Sequence, residues 1–311
     1  MPQVFPKPRT NPLTVPRSPD SPGTRTGIPA RIFDAPAPLR LWHLASLDAP
    51  TVAVVWTLGF AWAAGVRLPR WVPLLLALTA WAVYIADRLL DARSALRTAP
   101  HQLRERHFFH WRFRKIFMPL GAAAACAATW LVLTRMPAGV RRRDSVLAAA
   151  ALLYFISVHS RRIRRWLPAP LVSKEMLVGV LFTAACALPA WYRGRIAGVD
   201  RPVGPLLGPV VLFALLAWLN CHLIERWETA AESWTGARLA VALAVAAAAL
   251  TASLAVAQQP AAAALAACGA ASALLLALLD RLRGRLTPVA LRAAADLVLL
   301  TPLLLLALPT R

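Results

Sequence analysis

Trp71–Asp91 reads WVPLLLALTAWAVYIADRLLD. The apolar part of this stretch, Trp71–Leu90, approaches the ~20 residues that a helix needs to cross a bilayer. It delivers two carboxylates, Asp87 and Asp91, four residues apart. On a helix that spacing stacks both side chains on one face. Ionisable groups at membrane depth are expensive and mark functional sites. Two stacked carboxylates at a helix end suit a hard cation such as Mg²⁺. The plainer alternative is a salt-bridged helix end at the lipid headgroups.

The rest of the chain has the same character. It has 311 residues, 59% of them hydrophobic, and a mean hydropathy of +0.56. Soluble domains average roughly 45–50% apolar residues, and here the excess is gathered in blocks. Nine segments have spanning character: residues 44–66, 71–90, 116–134, 145–159, 171–191, 206–224, 237–257, 261–279 and 288–308. The expected fold class is therefore all-α, an integral membrane bundle of about nine transmembrane helices. The two Ala-rich segments, 237–257 and 261–279, suit close helix packing, and Gln258-Gln259-Pro260 between them reads as a tight hairpin.

Net charge is +21, from 35 Lys+Arg against 14 Asp+Glu. The basic residues sit in short segments between apolar runs, which is how membrane topology is written. No nucleic-acid motif accompanies them, so no nucleic-acid partner is expected. Placing the N-terminus in the cytoplasm puts most of them on the cytoplasmic face of an inner or plasma membrane. Residues 1–42 are Pro-rich and basic, without an apolar core, and read as a disordered cytoplasmic tail. Residues 43–311 form the membrane domain. Cys126, Cys186, Cys221 and Cys268 all lie in apolar runs without C-x-x-C spacing, which argues against a disulfide or zinc framework.

The same topology brings a second acidic stretch to the cytoplasmic face, at the end of the sixth segment. Glu225, Glu228 and Glu232 recur at i, i+3, i+7 and share a helical face. Asn220 and His222 precede them within the membrane. The two acidic stretches lie four segments apart, as in a degenerate internal duplication. Arg88 and the basic loop after Asp91 offer guanidiniums beside the carboxylates, a diphosphate-binding combination. Arg161, Arg162 and Lys174 add cations near the same face, and Tyr154 closes the fourth segment. His107-x-x-His110 has zinc-ligand spacing, but its aromatic neighbours Phe108, Phe109 and Trp111 point to an interfacial anchor. Asp48 and Asp296 lie in apolar runs and are expected to find partners inside the bundle.

Asp87-Arg88-Leu89-Leu90-Asp91 resembles the first aspartate-rich motif of the UbiA-type intramembrane prenyltransferase superfamily. Glu225-Arg226-Trp227-Glu228 falls where that family carries its second acidic motif. Tyr154 with Arg161-Arg162 lies near the family's Tyr and basic element. The chain departs from the pattern at Val83 and Tyr84, where the family has Asn and Asp, and by using glutamates in the second motif. The resemblance implies nine helices and a Mg²⁺-dependent enzyme working on an isoprenyl diphosphate. Asp87, Asp91, Glu225, Glu228 and Glu232 would be metal ligands. Arg88, Arg161, Arg162 and Lys174 would bind diphosphate. Tyr84, Tyr154, Asn220 and His222 would line the pocket for the isoprenyl chain and a lipophilic or aromatic acceptor. A polyprenyl diphosphate cyclase of the same fold, and a non-catalytic scaffold or transporter, remain as rival readings.

Overall fold

A computed structural model describes residues 33–98, 104–159, 174–196, 204–229 and 235–307. They form helices α1 (Ala37–Leu44), α2 (Asp48–Ala63), α3 (Trp71–Thr98), α4 (Glu105–Arg112), α5 (Arg114–Arg135) and α6 (Ala138–His159). Then follow α7 (Lys174–Ile196), α8 (Leu207–Glu228), α9 (Thr235–Val256), α10 (Pro260–Leu282), α11 (Pro288–Leu297) and the short α12 (Leu303–Leu306). No strand occurs among the described residues; a single bridge ties Phe33 to Leu286. The chain is all-α, as its apolar blocks require, and the first helix begins at Ala37, within the stretch assigned to the tail.

Six of the helices, α3, α5, α7, α8, α9 and α10, are long and apolar enough to cross a bilayer. That is the signature of a multi-pass membrane protein. The other three expected spans differ for identifiable reasons. The first is an elbow: α1 and α2 meet at 89°. The turn passes through Ser46, whose φ of 57° lies in the left-handed region. The elbow's loose polar groups are tied down locally. Trp81 Nε1 on α3 donates to the Ala45 carbonyl at 3.0 Å, and Trp42 Nε1 donates to Thr51 Oγ1 at 3.1 Å. The fourth segment is a full helix, α6, but Arg141, Arg142, Arg143 and Asp144 near its start leave too short an apolar stretch. The ninth is interrupted before Pro302.

That interruption shows how a membrane bundle accommodates a broken helix. Proline has no N–H, so Pro302 cannot serve the Val298 carbonyl one turn earlier. Ser272 on α10 donates to that carbonyl instead, at 2.7 Å. Trp56 Nε1 on α2 takes the next carbonyl, Leu299, at 2.8 Å. Thr301 Oγ1 in turn donates to the Cys268 carbonyl at 2.9 Å. The freed backbone is thereby re-satisfied inside protein, as an apolar medium demands.

The core forms around α2 and α8. Trp56 and Phe213 stack with centroids 3.9 Å apart, and Phe60 packs edge-on to Phe213 at 6.0 Å. Gly179 lets α7 approach α8 closely. A Cβ there would lie 2.9 Å from the Ala214 carbonyl oxygen and 3.0 Å from the Trp218 nitrogen. Along α9 the buried residues Gly236, Ala237, Ala240, Ala244 and Ala247 recur at helical spacing, and α9 packs along α10. The turn between them runs through Gln258, whose φ is 57°, and α10 starts at Pro260.

Candidate functional site

The arrangement centres on α3. Its last turns place Tyr84, Arg88 and Asp91 at helical spacing, with Asp87 beside them. Arg88 is buried, its guanidinium 5.6 Å from the Tyr84 ring and Nη1 3.8 Å from Asp87 Oδ2. The end of α6 brings in His159. Its Nε2 lies 3.3 Å from Asp87 Oδ1 and 3.6 Å from Asp91 Oδ1. His159 Nδ1 bonds to the Phe155 carbonyl at 2.9 Å, so that nitrogen carries the ring proton. Nε2 faces the two carboxylates at ion-pair distance, so a proton or a cation can sit between them. Three ligand atoms from Asp87, Asp91 and His159 lie within 4.8 Å of one another. Sequence reasoning passed over His159; its place at the end of a segment, five residues after Tyr154, was the available signal.

Lys174 stands at the start of α7, exposed, and acts electrostatically on both Asp87 and Asp91. It also acts on Glu225, which lies against Glu175. Lys174 is thus the cation shared by the two acidic stretches. Tyr154 is within electrostatic reach of Asp87 and Cys221. His222 stacks on Trp218, ring centroids 5.4 Å apart. Arg161, Arg162 and Glu232 lie outside the described residues.

Glu228 behaves differently from its sequence neighbours. Arg104 of the preceding loop, Arg106 of α4 and Arg292 of α11 all pair with it, Arg106 at 2.7 Å. Its oxygens serve as a clamp between three elements. Among the described residues neither Glu225 nor Glu228 joins a cluster of three metal-capable ligands. The sequence placed Glu225 and Glu228 on one face, but that face divides between a carboxyl pair and an arginine clamp.

The helix α4 lies between these groups and the elbow. His107 is buried, and its Nε2 is 3.8 Å from Asp91 Oδ2. Burial, then the Arg106 charge, pushes its imidazole down to about 3. His110 is fully buried, with Nδ1 donating to the Arg106 carbonyl at 2.9 Å and Nε2 3.3 Å from Ser46 Oγ. Burial pushes His110 down to about 4. The two histidines face into the protein and serve the packing of α4.

The His110 shift has a consequence for stability. The folded protein holds the ring neutral down to about 4, whereas an unfolded chain protonates it near its ordinary value of ~6.5. Between those values the unfolded state binds more protons, so stability falls as pH falls. The thermal midpoint in detergent is expected to drop between pH 7 and pH 5. In His110→Gln the dependence over that window is expected to be shallower.

A second polar cluster lies deeper. His43 Nδ1 at the end of α1 is 2.7 Å from Asp48 Oδ2 at the start of α2. Asn220 on α8 donates from Nδ2 to Asp296 Oδ1 on α11 at 2.9 Å. His43, Asp48 and Asp296 present ligand atoms all within 4.8 Å of one another. The expectation that Asp48 and Asp296 find partners inside the bundle is met, and they find each other.

The Asp87–Asp91–His159 group can hold a cation, and Lys174 and Arg88 can neutralise an anion beside it. No protein-family model, curated protein or solved structure matches the chain.

Proposed function

We propose that the chain is a membrane-embedded, Mg²⁺-dependent enzyme of the UbiA prenyltransferase type. It would transfer an isoprenyl group from a prenyl diphosphate to a lipophilic or aromatic acceptor at the cytoplasmic mouth of a nine-segment bundle. The observation that carries the reading is the Asp87–Asp91–His159 cluster, whose ligand atoms lie within 4.8 Å of one another. Two carboxylates and an imidazole at this spacing fit a cation. The two carboxylates are suitable Mg²⁺ ligands; an imidazole is a poorer one, and it fits better through a metal-bound water, which Mg²⁺ usually keeps. Bound there, Mg²⁺ would supply positive charge against the leaving diphosphate.

The chain's own residues would do the rest. Lys174 and Arg88, with Arg161 and Arg162 of the neighbouring segment, would hold diphosphate oxygens and offset the charge that builds as the allylic C–O bond breaks. Tyr84, Tyr154, Asn220 and His222 would line the path of the isoprenyl chain. The apolar walls would exclude water from the allylic cation until the acceptor captures it.

The test is diphosphate release from isoprenyl diphosphates of graded length by the detergent-purified protein, with Mg²⁺ and after its removal by chelation. Release that appears only with Mg²⁺, and grows with an acceptor-rich lipid extract, is the expected result. No release from any donor would leave the non-catalytic scaffold as the reading of this chain. Release without an acceptor, giving a cyclised hydrocarbon, would identify the cyclase.

A further inference from the structure

The deeper cluster gathers four polar side chains away from water. Asp48 and Asp296 each bring a carboxylate, His43 an imidazole, and Asn220 an amide. His43 and Asp48 are about 3% and 2% exposed, and Asn220 about 5%. The hydrogen bonds recorded within the cluster are few. His43 Nδ1 faces Asp48 Oδ2, the Ala49 N–H donates to Asp48 Oδ1 at 2.9 Å, and Asn220 Nδ2 donates to Asp296 Oδ1. The Asn220 Oδ1 atom, in a side chain held against Asp296, is buried with no partner. An orphaned acceptor is costly in such a place. Two carboxylates this close, away from water, do not both stay charged unless a proton or a cation lies between them. Arg88 acts on both electrostatically, but it also faces Asp87 at 3.8 Å.

We propose that His43, Asp48 and Asp296 bind a divalent transition-metal ion beside Asn220, at the junction of the α1–α2 elbow, α8 and α11. One imidazole nitrogen with two carboxylates is a mixed donor set. The imidazole favours zinc over magnesium or calcium. His43 and Asp48 come from the elbow and Asp296 from α11, so the ion would pin the elbow to that later helix. This site is separate from Asp87–Asp91–His159 and does not depend on the prenyltransferase reading.

The experiment is metal analysis of the full-length, tag-free protein. It is incubated with Zn²⁺ or Mn²⁺, passed through a desalting column, and its metal per chain measured by mass spectrometry. Wild type is expected to retain close to stoichiometric zinc. Asp296→Asn and His43→Gln are each expected to lower retention at least ~10-fold at limiting zinc. In an Asp87→Asn/Asp91→Asn background, which removes any metal held at the end of α3, zinc retention is still expected to depend on His43 and Asp296. Wild type without retained zinc or manganese, or retention insensitive to Asp296→Asn and His43→Gln, would overturn the proposal. So would loss of the metal in Asp87→Asn/Asp91→Asn alone. Should the buried variants fail to fold, the Asp87→Asn/Asp91→Asn protein, in which the other cation-capable group is removed, decides through cobalt substitution. Visible d–d bands and a higher thermal midpoint on cobalt or zinc addition support the site; neither change refutes it.

Discussion

Glu228→Ala is expected to destabilise the folded protein by about 3–5 kcal/mol, because it strips the shared anion from a nearly buried set of arginines. The Glu228 side chain is 13% exposed, and those of Arg106 and Arg292 are 8% and 15%. Their desolvation is offset chiefly by this carboxylate, and with alanine in place the guanidiniums would repel one another across α4 and α11. Glu228→Gln keeps the shape and some acceptor capacity but not the charge, so its loss is expected to be smaller. Combining Glu228→Ala with Arg292→Ala is expected to recover part of the deficit, a coupling that two independent sites would lack. Unfolding free energies from denaturant titration in mixed micelles read all three variants. A change below ~1 kcal/mol for Glu228→Ala, the range of an exposed pair, would show that the clamp is open to water.

The second large effect concerns chemistry. Asp87→Asn is expected to lower Mg²⁺-dependent diphosphate release by at least ~10²-fold, the scale on which a transition-state electrostatic contact is lost. The amide preserves size, so the thermal midpoint is expected to move little. His159→Ala is expected to weaken activity less when Mg²⁺ is raised, because the imidazole sits beside the carboxylates and is not the preferred ligand. If Asp87→Asn keeps full release, the site lies elsewhere in the bundle.

The helical class and most of the spans could be read directly from the sequence, because long apolar blocks have one stable form in a bilayer. Residue patterns expose composition along one segment, but they do not show how its polar backbone is satisfied. The elbow before α2 and the interruption at Pro302 depend on Trp81, Ser272 and Trp56, residues on other helices. The acidic pair on α3 was visible because i, i+4 spacing is a local property. His159 was missed because its significance comes from the meeting of α6 with α3. The common face of Glu225 and Glu228 was also visible, while the arginines that divide it come from α4, its preceding loop and α11. Asp48 and Asp296 lie 248 positions apart (296 minus 48), and no periodicity links them.

The carbonyls of Val298 and Leu299 impose an order on biogenesis. A nascent segment carrying Pro302 enters the lipid with two acceptors that hydrocarbon cannot satisfy. Their donors sit on α10, made just before it, and on α2, made much earlier. The segment therefore acts as a latch that closes only on helices already in place. A chain truncated before Val298 would leave the indole of Trp56 and the hydroxyl of Ser272 without these carbonyls, a defect felt at the opposite end of the membrane domain.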